Sequence, residues 1–312
     1  MRYVIALDVG GTGMKAALVG VDGELLYQAR RPTERERGPD AVTAAVLAFA
    51  ADLRRTGVER HGTEPAAAGV AVPGILDEPA GVVRFAANLG WTDLPLRALL
   101  TEHLGLNVPV ALSHDVRTGG LAEGRIGAGA GVDRFVFVPL GTGIAGAIGI
   151  DGRVEAGAHG GAGEIGHVVV RPGGAACGCG QRGCLETLAS ASAVGRAWAA
   201  ASGDPEATAA DAARAVAAGD PRARAVWADA VDALATGLVT ALTLLDPRML
   251  VIGGGLAEAG DTLFTPLREA VSAKVTFQRL PLIVPAALGD AAGCLGAGLL
   301  AWDLLSAEVA TR

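Results

Sequence analysis

No apolar stretch in this sequence reaches the roughly 18 uncharged residues that a membrane span needs. The run ending in Leu238-Val239-Thr240-Ala241-Leu242 is broken upstream by Asp229 and Asp232, so no span is expected. The basic excess of a nucleic-acid binder is missing as well. Lys and Arg number 26 against 33 Asp and Glu, a net charge of -7 with a pI near 5.3, which opposes the broad basic footprint such binding requires. The one basic cluster, Arg30, Arg31, Arg35 and Arg37, is interleaved with Glu34 and Glu36 and reads as a solvated loop. The start, Met1-Arg2-Tyr3-Val4-Ile5-Ala6-Leu7-Asp8, has neither the apolar core nor the cleavage site of a secretory signal, and a cytoplasmic location is expected. Cysteine is scarce: 4 in 312 residues form no disulfide framework, and three of them fall between Cys177 and Cys184, a clustering that points to metal.

What is present is apolar residue in quantity. With 51% of residues hydrophobic and 19% charged, the chain can bury a core large enough to divide into two lobes. Strands are expected at 4–9, 16–19 and 24–28, with the hairpin signal Asp22-Gly23 between the last two. A helix should run from an N-cap at Asp40 to Arg55, with Gly57 just past its end. A strand over 67–72 ends in Pro73-Gly74, a helix follows over 96–103, and a strand over 108–112 delivers Ser113-His114-Asp115 at its carboxyl end, where α/β sheets favour ligands. From Leu185 the pattern is helical, over 188–202, 208–218 and 222–245, the last introduced by Asp220 and by Pro221 at its first position. A strand at 248–252, a helix at 262–275, a strand at 282–286 and a helix at 290–305 complete the chain. One internal echo stands out. Gly11-Thr12, a strand and Asp22-Gly23 are matched by Gly141-Thr142-Gly143, a strand and Asp151-Gly152, with glycine-to-aspartate offsets of 11 and 10. Two lobes that each begin this way would offer two phosphate loops to one nucleotide across a cleft.

Five segments can carry chemistry. Asp8-Val9-Gly10-Gly11-Thr12-Gly13-Met14-Lys15 joins glycines whose N–H groups can approach phosphate oxygens to a Thr12 hydroxyl and an Asp8 carboxylate able to hold hydrated magnesium. The ending of a Walker loop is absent, and taken alone the segment is equally well a plain hairpin turn. Leu140-Gly141-Thr142-Gly143 and Gly253-Gly254-Gly255 repeat the pattern, and three such turns favour a nucleotide cradle. Asp115 suits either a base that takes a hydroxyl proton during phosphoryl transfer or the N-cap of a helix over 116–126. His167 with Cys177, Cys179 and Cys184 completes a closed tetrahedral zinc site, whose role is therefore structural. Cys294, inside the apolar run 291–301, reads as an ordinary buried cysteine. Glu164 and Glu186 flank the metal clamp, where they can accept from sugar hydroxyls.

Taken together, Asp8-x-Gly-Gly-Thr-x-x-Lys15, Gly141-Thr-Gly-Ile-Ala-Gly through Gly163-Glu164-Ile-Gly-His167, the CxCGxxGCxE run ending at Glu186, and Leu245-Asp-Pro-Arg-Met-Leu-Val-Ile-Gly-Gly-Gly255 resemble the ROK family (repressors, open reading frames and sugar kinases) over essentially the whole chain. The resemblance implies an α/β fold of two actin-like, ribonuclease-H-like lobes with an interlobe cleft. The small lobe would be 1–115 joined by the C-terminal helix 290–312, and the large lobe 116–289 with the zinc loop. It implies ATP-dependent phosphorylation of the 6-hydroxyl of glucose or N-acetylglucosamine. N-acetylmannosamine, mannose and fructose are alternatives, and a non-catalytic sugar-sensing regulator is a reading of another class.

By the same resemblance Asp115 is the catalytic base, and Gly74, Asn88, His114, Asp115, Glu164, His167 and Glu186 contact the sugar. ATP with Mg2+ is held by Asp8, Gly10, Gly11, Thr12, Lys15, Gly141, Thr142, Gly143, Gly253, Gly254 and Gly255, and structural Zn2+ by His167, Cys177, Cys179 and Cys184. His167 would thus offer one nitrogen to zinc and the other to the sugar. A homodimer or homotetramer is implied, with no nucleic-acid or membrane partner. One departure bears on the substrate: the residue before the base, usually Asn in family kinases, is His114. The family's repressors carry an added N-terminal helix-turn-helix, whereas this chain begins at its first strand, seven residues before Asp8, so a DNA-binding repressor is not expected.

Overall fold

The computed structural model describes residues 1–105 and 107–310; residues 311 and 312 of the expected C-terminal segment lie outside them. The chain opens with β1 (Tyr3–Val9), β2 (Gly13–Gly20) and β3 (Leu25–Pro32), an antiparallel meander. Along β1 the side chains alternate between two cores: Tyr3, Ile5, Leu7 and Val9 face one, Val4 and Ala6 the other. Burial on both faces is why this strand reads as an apolar run from Tyr3 to Leu7, interrupted only by Asp8 before Val9. Next come α1 (Pro39–His61), β4 (Ala68–Val72), a small antiparallel sheet of β5 (Ile75–Asp77), β6 (Val82–Ala86) and β7 (Trp91–Leu94), then α2 (Leu96–Leu104), β8 (Val110–His114) and α3 (Asp115–Ile126). The five-stranded sheet runs β3-β2-β1-β4-β8, with β4 and β8 parallel to β1. Val46, Phe49 and Leu53 of α1 and Leu100 of α2 fill one face. Cys294, Ala297 and Ala301 of α9 (Ala292–Ala310) fill the other.

The first helix departs from expectation at both ends. It starts after Gly38 with Pro39 at its first position, so Asp40 lies in the first turn rather than capping it, and it runs on to a left-handed Gly62. Gly57 sits inside the helix because the Tyr3 ring packs against it, and a Cβ there would overlap that ring. The strand expected over 108–112 occupies 110–114, which leaves Asp115 as the first residue of the helix that follows.

The second half repeats the plan. β9 (Arg134–Pro139), β10 (Ala147–Ile150) and β11 (Arg153–Glu155) form a meander, and β12 (Met249–Gly253) and β13 (Leu282–Pro285) extend it in parallel, in the order β11-β10-β9-β12-β13. The echo between the glycine turns therefore extends to the whole sheet topology. Helices α4 (Glu186–Ala189), α5 (Ala191–Ser202), α6 (Ala209–Ala217), α7 (Pro221–Leu245) and α8 (Asp261–Lys274) supply one large core against β9 and β12. The helix expected over 188–202 is broken at Ser190, whose hydroxyl accepts the N–H of Ala193 to start α5 afresh. Asp220 and Pro221 open α7 as expected. Among the described residues α7 alone is long and apolar enough to cross a membrane, but Trp227, Val231, Leu234 and Leu238 spend that apolarity in the core.

The chain forms two compact units, one of Met1–Ala122, Ala156–Gly161 and the residues from Asp290 onward, the other of Glu123–Glu155 and Ala162–Gly289. The start of α3 goes with the first unit, beyond the expected boundary at 115, because the Thr118 carbonyl packs into the space left by the missing side chain of Gly296 on α9.

Candidate active site

In the first unit, alternation along β1 sends Asp8 to the α9 face, where a Cβ on Gly293 would meet its carboxylate. Lys15 is its partner across the β1–β2 ladder. The Lys15 ammonium lies 3.9 Å from Asp8 Oδ2 and donates to the Asp290 carboxylate. Burial pushes the Asp8 carboxyl up to about 6; Lys15 opposes the rise, and the charges of Asp115 and Asp290 add to it. A desolvated carboxylate within electrostatic reach of another is a place where a divalent cation is stabilised. The glycine turn after β1 is held by its own chain, with Gly10 N–H donating to the Gly13 carbonyl at 3.0 Å. Thr33, which sequence reasoning passed over, locks it: its hydroxyl donates to the Gly10 carbonyl at 2.6 Å and its N–H to the Thr12 carbonyl at 3.1 Å. Asn88 lies against this turn, since a Cβ on Gly11 would come 3.3 Å from the Asn88 Cβ. Gly74 leaves β4 at φ +106, against the backbone of Phe85 and Ala86.

Asp115 stands at the carboxyl end of β8, on the same sheet as Asp8. Its Oδ1 accepts the N–H of Val116 at 2.7 Å and lies 3.2 Å from His114 Nδ1, while its side chain is 31% exposed. The N–H it accepts is that of the next residue, not of the second or third helical residue as in an N-cap, and the side chain still reaches solvent. His114 itself is buried, and its Nδ1 is also 3.3 Å from the N–H of Val116, so that nitrogen either donates to Asp115 or accepts from the backbone. Sequence reasoning also missed Glu78 and Arg117, which meet beside Asp115 in an ion pair between the buried Arg117 and the half-buried Glu78, with Arg117 Nη2 2.7 Å from Glu78 Oε1.

In the second unit, the turn after β9 reproduces the first, with Gly141 N–H donating to the Gly143 carbonyl at 3.1 Å. The third glycine turn adjoins it. Leu140 N–H donates to the Gly253 carbonyl at 2.8 Å, and Leu256 N–H to the Leu140 carbonyl at 3.1 Å. Gly254, at φ +79 with the Leu140 backbone where a Cβ would stand, can be only glycine. Glu186 Oε2 accepts the N–H of Ile144 at 2.9 Å, which ties this acid to the Gly-Thr-Gly turn. Thr142 lies in that same turn, and Gly255 begins the short 3-10 helix that follows β12.

His167, Cys177, Cys179 and Cys184 each offer one ligand atom, and these atoms all lie within 4.8 Å of one another. Cys179 and Cys184 sulfurs are 3.7 Å apart, close to the roughly 3.8 Å that tetrahedral zinc–sulfur bonds would impose. His167 turns Nδ1 to Cys177 Sγ at 3.6 Å and Nε2 to Glu164 Oε2 at 3.8 Å, so its two nitrogens serve different neighbours. A donor set of three thiols and one imidazole fits zinc. Size does not mark the site: a groove of about 740 Å³ lined by Asp133, Arg134, Arg248 and Arg279 lies at the amino ends of β9, β12 and β13, opposite the glycine turns.

The profile described as "ROK family" matches residues 4–303. A glucokinase of Halalkalibacterium halodurans is 34% identical over 96% of this chain and 94% of its own. A ROK hexokinase from Thermus thermophilus superimposes with a TM-score of 0.85 at 35% identity, covering 98% of this chain and 100% of its own. A ROK family glucokinase from Streptomyces griseus, solved in complex with glucose and AMPPNP, does so with a TM-score of 0.81 at 29% identity, covering 96% and 99%.

Proposed function

We propose, from the premise that this chain belongs to the ROK family and is an ATP-dependent sugar kinase of two-lobed actin-like fold, that it phosphorylates the 6-hydroxyl of glucose, with N-acetylglucosamine next in preference. The observation that carries the reading is the pair of carboxylates at one end of one sheet: Asp8 on β1, pushed up by burial and by Asp115, and Asp115 at the start of α3 just past β8, half-buried and still reached by solvent. Asp115 accepts the proton of the 6-hydroxyl, that oxygen forms a bond to the γ-phosphorus, the bond from phosphorus to the bridging oxygen breaks, and ADP leaves with the electron pair. Gly74, Asn88, His114, Glu164, His167 and Glu186 contact the sugar. The three glycine turns, Thr12, Thr142 and Lys15 hold the nucleotide. Asp8 would hold hydrated Mg2+, which when bound offsets charge on the phosphates. His167, Cys177, Cys179 and Cys184 would hold a structural Zn2+, and the enzyme acts in the cytoplasm as a homodimer or homotetramer.

The test is ADP release with magnesium present across glucose, N-acetylglucosamine, N-acetylmannosamine, mannose and fructose. Glucose should stimulate most, and Asp115→Asn should lower turnover at least about a hundredfold. Sugar binding without any stimulated ADP release would make the chain a sensor instead.

A further inference from the structure

The junction that carries Asp115 is gripped from outside its own elements. Glu78 lies in the turn between β5 and β6, and a single oxygen of its carboxylate, Oε1, accepts from the Ser113 hydroxyl at 2.7 Å, the His114 N–H at 3.3 Å, and Arg117 Nη2 at 2.7 Å and Nε at 3.3 Å. These donors bracket Asp115 in the sequence on both sides. Among the described residues β8 is the edge of its sheet, and the His114 N–H is satisfied by Glu78. Arg117 is 4% exposed, and its Nη1 donates to the Gly160 carbonyl at 2.9 Å. Gly160 lies four residues before Glu164. Burial by itself would push the Glu78 carboxyl up, yet the bonds from Ser113, Arg117 and His114 outweigh it and hold the group below its ordinary value. The acid is thus a charged acceptor at neutral pH, and a carboxylate is the acceptor that can serve so many donors at once.

We infer that Glu78 and Arg117 are positioning residues for phosphoryl transfer: together they set the strand-to-helix junction that aims Asp115 and anchor the glycine segment leading to Glu164. The inference rests on Asp115 being the base, as proposed above. Neither residue touches the reacting atoms, so they act through alignment, to which turnover is steep: a shift of about 1 Å costs on the order of a hundredfold. Loss of an ion pair that served stability alone would behave otherwise, lowering the melting temperature while leaving each folded molecule as active as before.

Glu78→Gln keeps an acceptor oxygen in place but removes the charge that collects the donors. With activity corrected for the folded fraction, kcat should fall at least about tenfold while KM for ATP stays within about twofold. Arg117→Lys keeps the charge but loses the two-sided fork, and should be intermediate. Ser113→Ala removes one donor and should cost a few-fold in kcat, and Glu78→Gln with Ser113→Ala together should be no slower than Glu78→Gln alone. If Glu78→Gln does not fold, Arg117→Lys and Ser113→Ala decide the matter by the same readout. Wild-type kcat in the folded variants, with only the melting temperature lowered, overturns the positioning role and leaves the kinase reading intact. A wild-type protein that releases no ADP with any sugar overturns the kinase reading, and the inference with it.

Discussion

At the residue scale, Asp8 departs from what stability prefers, as the proposed magnesium site would require. Its carboxyl rises from an ordinary 3.8 to about 6, first through burial. Between those values the folded chain binds more protons here than the unfolded chain, so the stability this group contributes falls as pH rises through that window. Asp8→Asn removes the penalty. The variant should be more stable than wild type at pH 8 by up to about 3 kcal/mol, the equivalent of a two-unit shift, with little gain at pH 4, while losing magnesium-dependent turnover. Urea midpoints at the two pH values check this; a gap that does not grow with pH would mean that Asp8 is not a strained acid. The sequence marked Asp8 by its glycine turn, the four candidate zinc ligands by their spacing, and Asp115 by its place at the end of a strand. Thr33, Glu78 and Arg117 had no such motif. Their partners lie 23 and 39 residues away, and local spacing carries no record of that.

At the element scale, two glycine-dependent structures invite opposite experiments. Gly57 lies in α1 under the Tyr3 ring. In an ordinary helix interior Gly→Ala stabilises by about 0.5–1 kcal/mol, but here Gly57→Ala should destabilise by about 1–3 kcal/mol, the scale of overpacking a filled core. Urea denaturation reads the sign directly, and a stabilised variant would show that Tyr3 yields. The loop from Cys177 to Cys184 exposes Cys179, and the proposed ligation would add to the backbone bonds that hold it, such as Cys177 N–H to the Gln181 carbonyl. Cys179→Ser should lose one zinc per chain and expose the loop to protease, while Cys294→Ser, buried against α9's own core, should keep the metal. Full zinc in Cys179→Ser would refute the ligand set.

At the scale of the whole molecule, a sugar that binds the folded chain and not the unfolded one should protect it against melting. At a hundred times Kd the stabilisation is about 2.7 kcal/mol. Calorimetry with and without glucose measures it, and an unmoved profile at saturation would argue that no such sugar is bound. How the molecule is built was partly written in its sequence. Short apolar runs marked the strands, though not their direction, and the paired Gly-Thr and Asp-Gly signals at offsets of 11 and 10 pointed to a duplicated meander that the two sheets then repeat strand for strand. Such features are local: strand burial, turn chemistry and metal-ligand spacing each act within about a dozen residues. What tertiary structure alone decided is where distant pieces meet. Tyr3 carries α1 past Gly57, α9 returns to cover β1, and Glu78 gathers the donors around Asp115, because packing and burial select contacts by shape and charge across the chain, and no short window of sequence contains both partners.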